Sequence, residues 1–271
     1  MRVAVCQMRS GEDVEANLAE AERLLTEAAG GGADLAVLPE VFPYLGPSSR
    51  RAELAEPVPG PVTDRLAAVA AARSMWVLGG SVLERDGDRV YNTSPLFDRA
   101  GELVARYRKI HLFDVELTGQ PPFRESATFS AGDQLVTFET DQARLGLSIC
   151  YDLRFPELYR GLMALGAEVL LVPAQFQFET GKDQWHVLLR ARAIEDQCFV
   201  VAAGQWGPFG DPDRGRRSFG HSLVVDPWGT IVVEAPEAGS GVWFADLDLG
   251  ELRRIRQRLP ALQHRRLGTV C

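Results

Sequence analysis

Three reactive side chains each follow an apolar run, and each could do chemistry there. Cys150 closes RLGLSIC and precedes YDLRFPE. A buried strand, a sharp turn and a helix opening near Pro156 form the geometry that presents a nucleophile. The backbone N–H of the next residue, Tyr151, can then point at a developing oxyanion. A lone cysteine is as readily a buried structural residue, so the local pattern leaves both readings open. Glu40 closes DLAVLPE. A carboxylate after a buried strand is costly unless it is paired, and partial burial suits it to general-base work; an exposed loop glutamate is the plain alternative. Lys109 sits in YRKIHLF, flanked by Ile110, Leu112 and Phe113. In a cleft its ammonium could stabilise an oxyanion or lower a thiol pKa; on the surface it would merely snorkel. Cys6 reads as core, and Cys198 and Cys271 as inert. The four histidines, His111, His186, His221 and His264, show no close metal-ligand spacing. A Cys/Glu/Lys site needs none of them.

These groups must be positioned by alternating strands and helices. Arg2–Met8 predicts a strand, the Leu18, Ala21, Leu24, Leu25, Ala28 spacing a helix, and Asp34–Glu40 a strand buried on both faces. A helix over Val62–Arg73 follows. Trp76–Leu83, Val90–Phe97 and Leu103–Tyr107 predict an antiparallel meander. The stretch His111–Gly132 is long and irregular, as functional loops are. The second half repeats the alternation: strands at Leu145–Ile149, Glu168–Val172, Phe199–Ala203, Gly220–Val225, Ile231–Glu234 and Val242–Asp246, and helices at Pro156–Leu165, Trp185–Gln197 and Leu249–Arg258. The expected class is α/β, with both sheet faces covered.

Composition narrows the function by exclusion. The 271 residues carry 29 Lys+Arg against 37 Asp+Glu, a net charge of −8. An acidic chain disfavours nucleic acid as a partner, since phosphate binding needs a basic face. No apolar run reaches the roughly 20 residues of a membrane helix, and the start, MRVAVCQM, lacks a signal-peptide pattern. Four scattered cysteines form no CxxC pair. They fit a reducing, cytoplasmic location.

Taken together, PEVF (Pro39–Phe42), YRKIHLF (Tyr107–Phe113) and ICYDLRFPEL (Ile149–Leu158) resemble the nitrilase superfamily of carbon–nitrogen hydrolases, in that order along the chain. Within it, HLFDVELTGQ, LLRARAIEDQ, GHSLVVDPWG and LPALQHRR are similar to the ω-amidase and deaminated-glutathione amidase group. That group has His-Trp-Glu where this chain has Gln184-Trp185-His186, and the preceding PAQFQFETGKDQ also departs from its pattern. The resemblance implies a four-layer α-β-β-α sandwich with two mixed β-sheets, one domain over 1–271, and no metal or organic cofactor. It implies a Cys150 nucleophile, Glu40 as proton shuttle, and Lys109 with the Tyr151 N–H at the oxyanion. A second glutamate, Glu125 in FRES, would hold Lys109. The implied substrate is a small carboxylate-bearing amide, an ω-amide of a 2-oxo acid or deaminated glutathione, hydrolysed through a thioester with release of ammonia. Arg154 would bind its carboxylate, unless it is tied in an ion pair with Asp152 or Glu157. The resemblance also implies homodimers or higher even oligomers, with the basic tail about 259–271, together with Arg253, Arg254, Arg256 and Arg258, against an acidic partner subunit. An N-carbamoyl-amine hydrolase or nitrilase with the same triad, and a non-catalytic binding protein of the same fold, are the alternatives.

Overall fold

A computed structural model describes residues 1–116, 122–210 and 215–267. Cys271, the end of the tail and the 117–121 part of the irregular loop lie outside the described residues.

Among the described residues the α-helices are α1 (Val14–Gly30), α2 (Pro61–Arg73), α3 (Pro156–Ala164), α4 (Phe178–Asp196) and α5 (Leu249–Arg258). The first sheet runs Gly241–Asp246, Arg2–Gln7, Leu35–Val37, Trp76–Leu78, Arg89–Phe97, Val82–Asp86, with Leu103–Arg108 also on Arg89–Phe97. Its three short parallel strands are joined through α1 and α2, and the rest is antiparallel. The second sheet runs Ile231–Glu234, Leu223–Val225, Phe199–Gly204, Val169–Ala174, Arg144–Leu147, Val136–Glu139, again mixed.

Strand alternation sorts the side chains into layers. Val3, Val5, Leu35 and Val37 share a core with Leu145, Leu147, Val169 and Leu171 of the second sheet. Ala4, Cys6 and Ala36 point the other way, onto Leu18, Leu24 and Leu25 of α1 and Leu66 and Ala70 of α2. Leu158 and Leu162 of α3 and Trp185 and Leu189 of α4 cover the second sheet. This is the expected four-layer sandwich.

Differences from the sequence expectations have local causes. Trp76–Leu83 is two strands, because Gly79-Gly80 breaks it. Gly80 has φ +52°, and a Cβ there would stand 2.0 Å from the Pro39 carbonyl oxygen, so only glycine lets the chain pass the Glu40 turn. Helix α4 begins seven residues before Trp185, since the polar run ETGKDQ masks its first turns. Its Gly181 packs where a Cβ would meet the Phe219 ring. The irregular loop contains a two-residue hairpin, Asp114–Val115 with Phe123–Arg124, and a 3₁₀ turn over Glu125–Ala127. The tail arginines are partly spent inside the chain. Arg254 pairs with Glu251 and Asp248 on α5, and Arg256 donates to the carbonyls of Gln197 and Ala167.

Candidate active site

Glu40, Lys109, Glu125 and Cys150 arrive from four separate segments and meet, all buried. Lys109 follows the strand Leu103–Arg108, and its backbone N–H donates to the Asn92 carbonyl. Its Nζ lies 2.8 Å from Glu40 Oε1, and 3.1 and 2.9 Å from the two oxygens of Glu125. One cation thus sits between two carboxylates. Burial disfavours the ammonium, but the charges of Glu125 and Glu40 outweigh it and hold the Lys109 pKa above its usual value. The second oxygen of each carboxylate is fixed by backbone: Gln175 N–H donates to Glu40 Oε2 (2.7 Å) and Phe113 N–H to Glu125 Oε2 (2.7 Å). Such bonds lock carboxylate rotamers, and locked groups are what catalysis requires.

The chain bends sharply after both Glu40 and Cys150. Val41 has φ +47°, rare for a β-branched residue, and Ser81 Oγ accepts its N–H at 2.9 Å. Cys150 has φ +46° and begins a one-turn 3₁₀ helix over Cys150–Arg154. Strained non-glycine residues of this kind cluster at functional sites. The elbow is held from beneath by buried Asp152, which accepts from Tyr107 Oη (2.7 Å), the backbone N–H of Ile149 (2.9 Å) and that of His111 (3.0 Å), with His111 Nδ1 at 2.7 Å.

Burial and the neighbouring Glu40 push the Cys150 thiol well above the usual cysteine range, against the opposing pull of Lys109. A thiol raised in this way is uncharged at neutral pH, so it could act as a nucleophile only with a base beside it. Glu40 is the carboxylate beside it. Cys6 and Cys198 are raised to about 12, mainly by burial. Both are buried in the core, Cys6 as expected.

A small cavity opens over the thiol. Phe113, Tyr151, Arg154, Gln175, Phe176 and Thr180 are among its walls. The Arg154 guanidinium stacks near the Tyr151 and Phe176 rings (5.7 and 5.3 Å) and donates to Gln184 Oε1. Neither Asp152 nor Glu157 forms an ion pair with it among the described residues. A larger groove of about 990 Å³, bordered by Arg9, Trp206 and Glu237, holds none of the four buried groups.

Sequence reasoning missed Asn92. Its Nδ2 donates to Glu40 Oε1 at 2.9 Å and to Glu125 Oε1 at 3.2 Å, spanning both carboxylates. The available signal was a polar amide at a buried position of an otherwise well-patterned strand.

The carbon-nitrogen hydrolase family model matches residues 2–257. The chain belongs to this family. It is a hydrolase of carbon–nitrogen bonds, with the fold of the nitrilase superfamily. It is 44% identical over 272 residues to the deaminated glutathione amidase of Bos taurus, covering 97% of this chain and 81% of that protein. With the omega-amidase of Mus musculus it shares 38% identity over 265 residues, 98% of this chain and 95% of that one. The C. elegans NitFhit protein superposes with a TM-score of 0.90 at 37% identity; the match covers 98% of this chain and 65% of that chain, so the present hydrolase corresponds to about two thirds of NitFhit. An amidase from Nesterenkonia sp. AN1, in a Glu-to-Gln variant with the acetamide moiety of fluoroacetamide covalently added at its active site cysteine, superposes at 0.82 with 28% identity, covering 98% of this chain and 94% of that one.

Proposed function

We propose that this hydrolase cleaves a small carboxylate-bearing amide, deaminated glutathione or the ω-amide of a 2-oxo acid, and releases ammonia through a thioester on Cys150. The observation that carries the mechanism is the placement of Glu40: one oxygen on Lys109 Nζ, the other on a backbone N–H, and the Cys150 thiol beside it. Glu40 takes the thiol proton as sulfur attacks the amide carbon. The oxyanion is stabilised by Lys109 and the Tyr151 N–H. Lys109 contacts both oxygens of Glu125 and can turn the longer contact toward the new charge. Glu40 then protonates the departing amine, and ammonia leaves. Glu40, with Glu125 nearby, next deprotonates the water that hydrolyses the thioester. Proton and charge balance close with these side chains and water alone.

The substrate class is supported by the names of the relatives and by Arg154, the cation on the cavity wall without a carboxylate partner among the described residues. A release assay for ammonia over deaminated glutathione, 2-oxoglutaramate, 2-oxosuccinamate, N-carbamoyl amino acids and simple nitriles tests it. Highest kcat/KM is expected for a carboxylate-bearing amide; turnover confined to carbamoyl compounds or nitriles would overturn the substrate. Arg154→Met is expected to lower kcat/KM for the carboxylate amide by roughly 10- to 100-fold, the value of one charged hydrogen bond. Amides lacking the carboxylate should be nearly unaffected.

The same proposal extends to the assembly. Both sheets feed one site, which supports a single domain over 1–271. Val187 and Ile194 on α4 and Trp228 on the adjoining turn are exposed apolar groups, which supports a homodimer through this face, with the basic tail contributing. The three cysteines among the described residues are free, which supports a reducing, cytoplasmic setting. No helix among the described residues is long and apolar enough to cross a membrane.

A further inference from the structure

Two of the histidines that show no metal-ligand spacing along the chain, His186 and His221, are brought together by the fold. His186 lies on α4, His221 at the corner between Arg217–Phe219 and Leu223–Val225, and Glu234 ends the strand Ile231–Glu234. His186 Nε2 is 2.8 Å and His221 Nδ1 2.6 Å from the same oxygen, Glu234 Oε1. All three ligand atoms lie within 4.8 Å of one another. Two ring nitrogens can face one carboxylate oxygen in two ways: each imidazole turns an N–H toward it, or both turn a lone pair inward around a metal ion.

We propose that His186, His221 and Glu234 form a binding site for a divalent transition metal, Zn²⁺ being the best match. Two imidazoles and one carboxylate, with a fourth position left to water, are a recurring zinc donor set. Ligands about 2.0–2.1 Å from a tetrahedral ion stand roughly 3.3 Å apart. The two nitrogen–oxygen spacings therefore widen by about 0.5 and 0.7 Å, and the two nitrogens, now within 4.8 Å of each other, settle at the same separation, within reach of side chains a quarter to a third exposed.

The surroundings hold these ligands in place. His221 is fixed in the left-handed region (φ +53°), and its carbonyl accepts from Trp185 Nε1 at 2.8 Å. Trp185 is buried and immediately precedes His186, so one side chain ties both histidine-bearing segments together. Buried Phe219 forms an apolar wall, its ring centroid 4.4 Å from that of His221 and 5.9 Å from that of His186. An apolar shell of this kind strengthens metal coordination by limiting water access.

None of the three lines the Cys150 cavity, so this site is separate from the hydrolytic one. The first turn of α4 does line it, through Thr180. A bound ion would clamp α4 to the second sheet and brace that wall from behind.

The test is Zn²⁺ titration by calorimetry of the chelator-stripped full chain, in the wild type and in Cys150→Ser, with Co²⁺ absorption as the reporter of ligand type. One equivalent should bind in both, with tetrahedral d–d bands and without the intense near-ultraviolet thiolate band. His186→Ala and Glu234→Gln should each weaken binding by more than the roughly 10- to 100-fold that loss of an outer-shell group costs. Should either variant fail to fold, His221→Asn serves, since asparagine tolerates the left-handed backbone. Absence of binding in the wild type, retention of full affinity in the ligand variants, or loss of binding in Cys150→Ser would each overturn the site.

Discussion

Cys150→Ala is expected to abolish ammonia release, by about 10⁴-fold or more, because a removed nucleophile has no substitute in a covalent mechanism. The rest of the site should persist. Glu40, Lys109 and Glu125 hold one another through contacts that do not involve sulfur. The variant should therefore still bind substrate, and a wild-type sample quenched with substrate should carry the acyl group on Cys150 by mass spectrometry. Retained turnover, or an adduct on Cys6 or Cys198, would refute the assignment. The backbone offers a second readout. Cys150 has φ +46°, where an L-residue costs roughly 1–2 kcal/mol and glycine little. Cys150→Gly should thus be equally inactive yet no less stable than Cys150→Ala, although glycine is normally the worse choice. If the backbone there were unstrained, alanine would be the more stable of the two. The comparison, read as Tm of the two purified variants, tests whether the backbone at Cys150 is strained.

The legible part of this site is the part that sequence neighbours mark. Glu40, Lys109 and Cys150 each break an apolar run at a strand end, and a charge or thiol there is a conspicuous cost. The five helices among the described residues and most of the strands follow from the same periodicities, with strand ends moved where glycine intervenes, as at Gly79-Gly80; the division into two sheets comes from the family resemblance, and the edge strand Val136–Glu139 carries no such mark. Glu125 carries no such mark. It lies in an irregular loop, and only the family resemblance singles it out before the fold delivers it to Lys109. Asn92 is hidden for the opposite reason: it sits inside a regular strand, where an amide reads as an ordinary outward-facing residue. The His186, His221 and Glu234 cluster joins positions 35 and 13 residues apart, and no short-range pattern encodes it. Local marks show which groups are expensive to bury; partners that repay the expense come from elsewhere in the chain.

Lys109 tests that principle most severely. In the native protein its ammonium separates two buried carboxylates that also share Asn92 Nδ2. Lys109→Met keeps the apolar stem and removes the charge. Two buried anions then face each other with one amide between them, and breaking a buried charge network by removing one partner costs about 3–5 kcal/mol. Activity should fall by at least about 10²–10³, the loss from deleting one oxyanion donor. The pH dependence of stability distinguishes this from simple cavity formation. Like charges in a shared site raise the pKa of one carboxylate, so the folded variant holds a proton that the unfolded chain has lost. A raised carboxylate pKa stabilises below the ordinary carboxylate range, and that contribution disappears as pH rises through the raised value. Lys109→Met should therefore melt higher near pH ~5 than near pH ~8 relative to the wild type. In the wild type the Lys109 pKa is itself raised, so its contribution is complete below the ordinary lysine value and constant across that window. Adding Glu125→Gln to Lys109→Met removes one of the two facing anions. It should recover much of the lost stability at the higher pH and none of the activity. Recovery of neither would mean that Lys109 supports the fold by packing alone, and that the paired carboxylates do not set the electrostatics of the site.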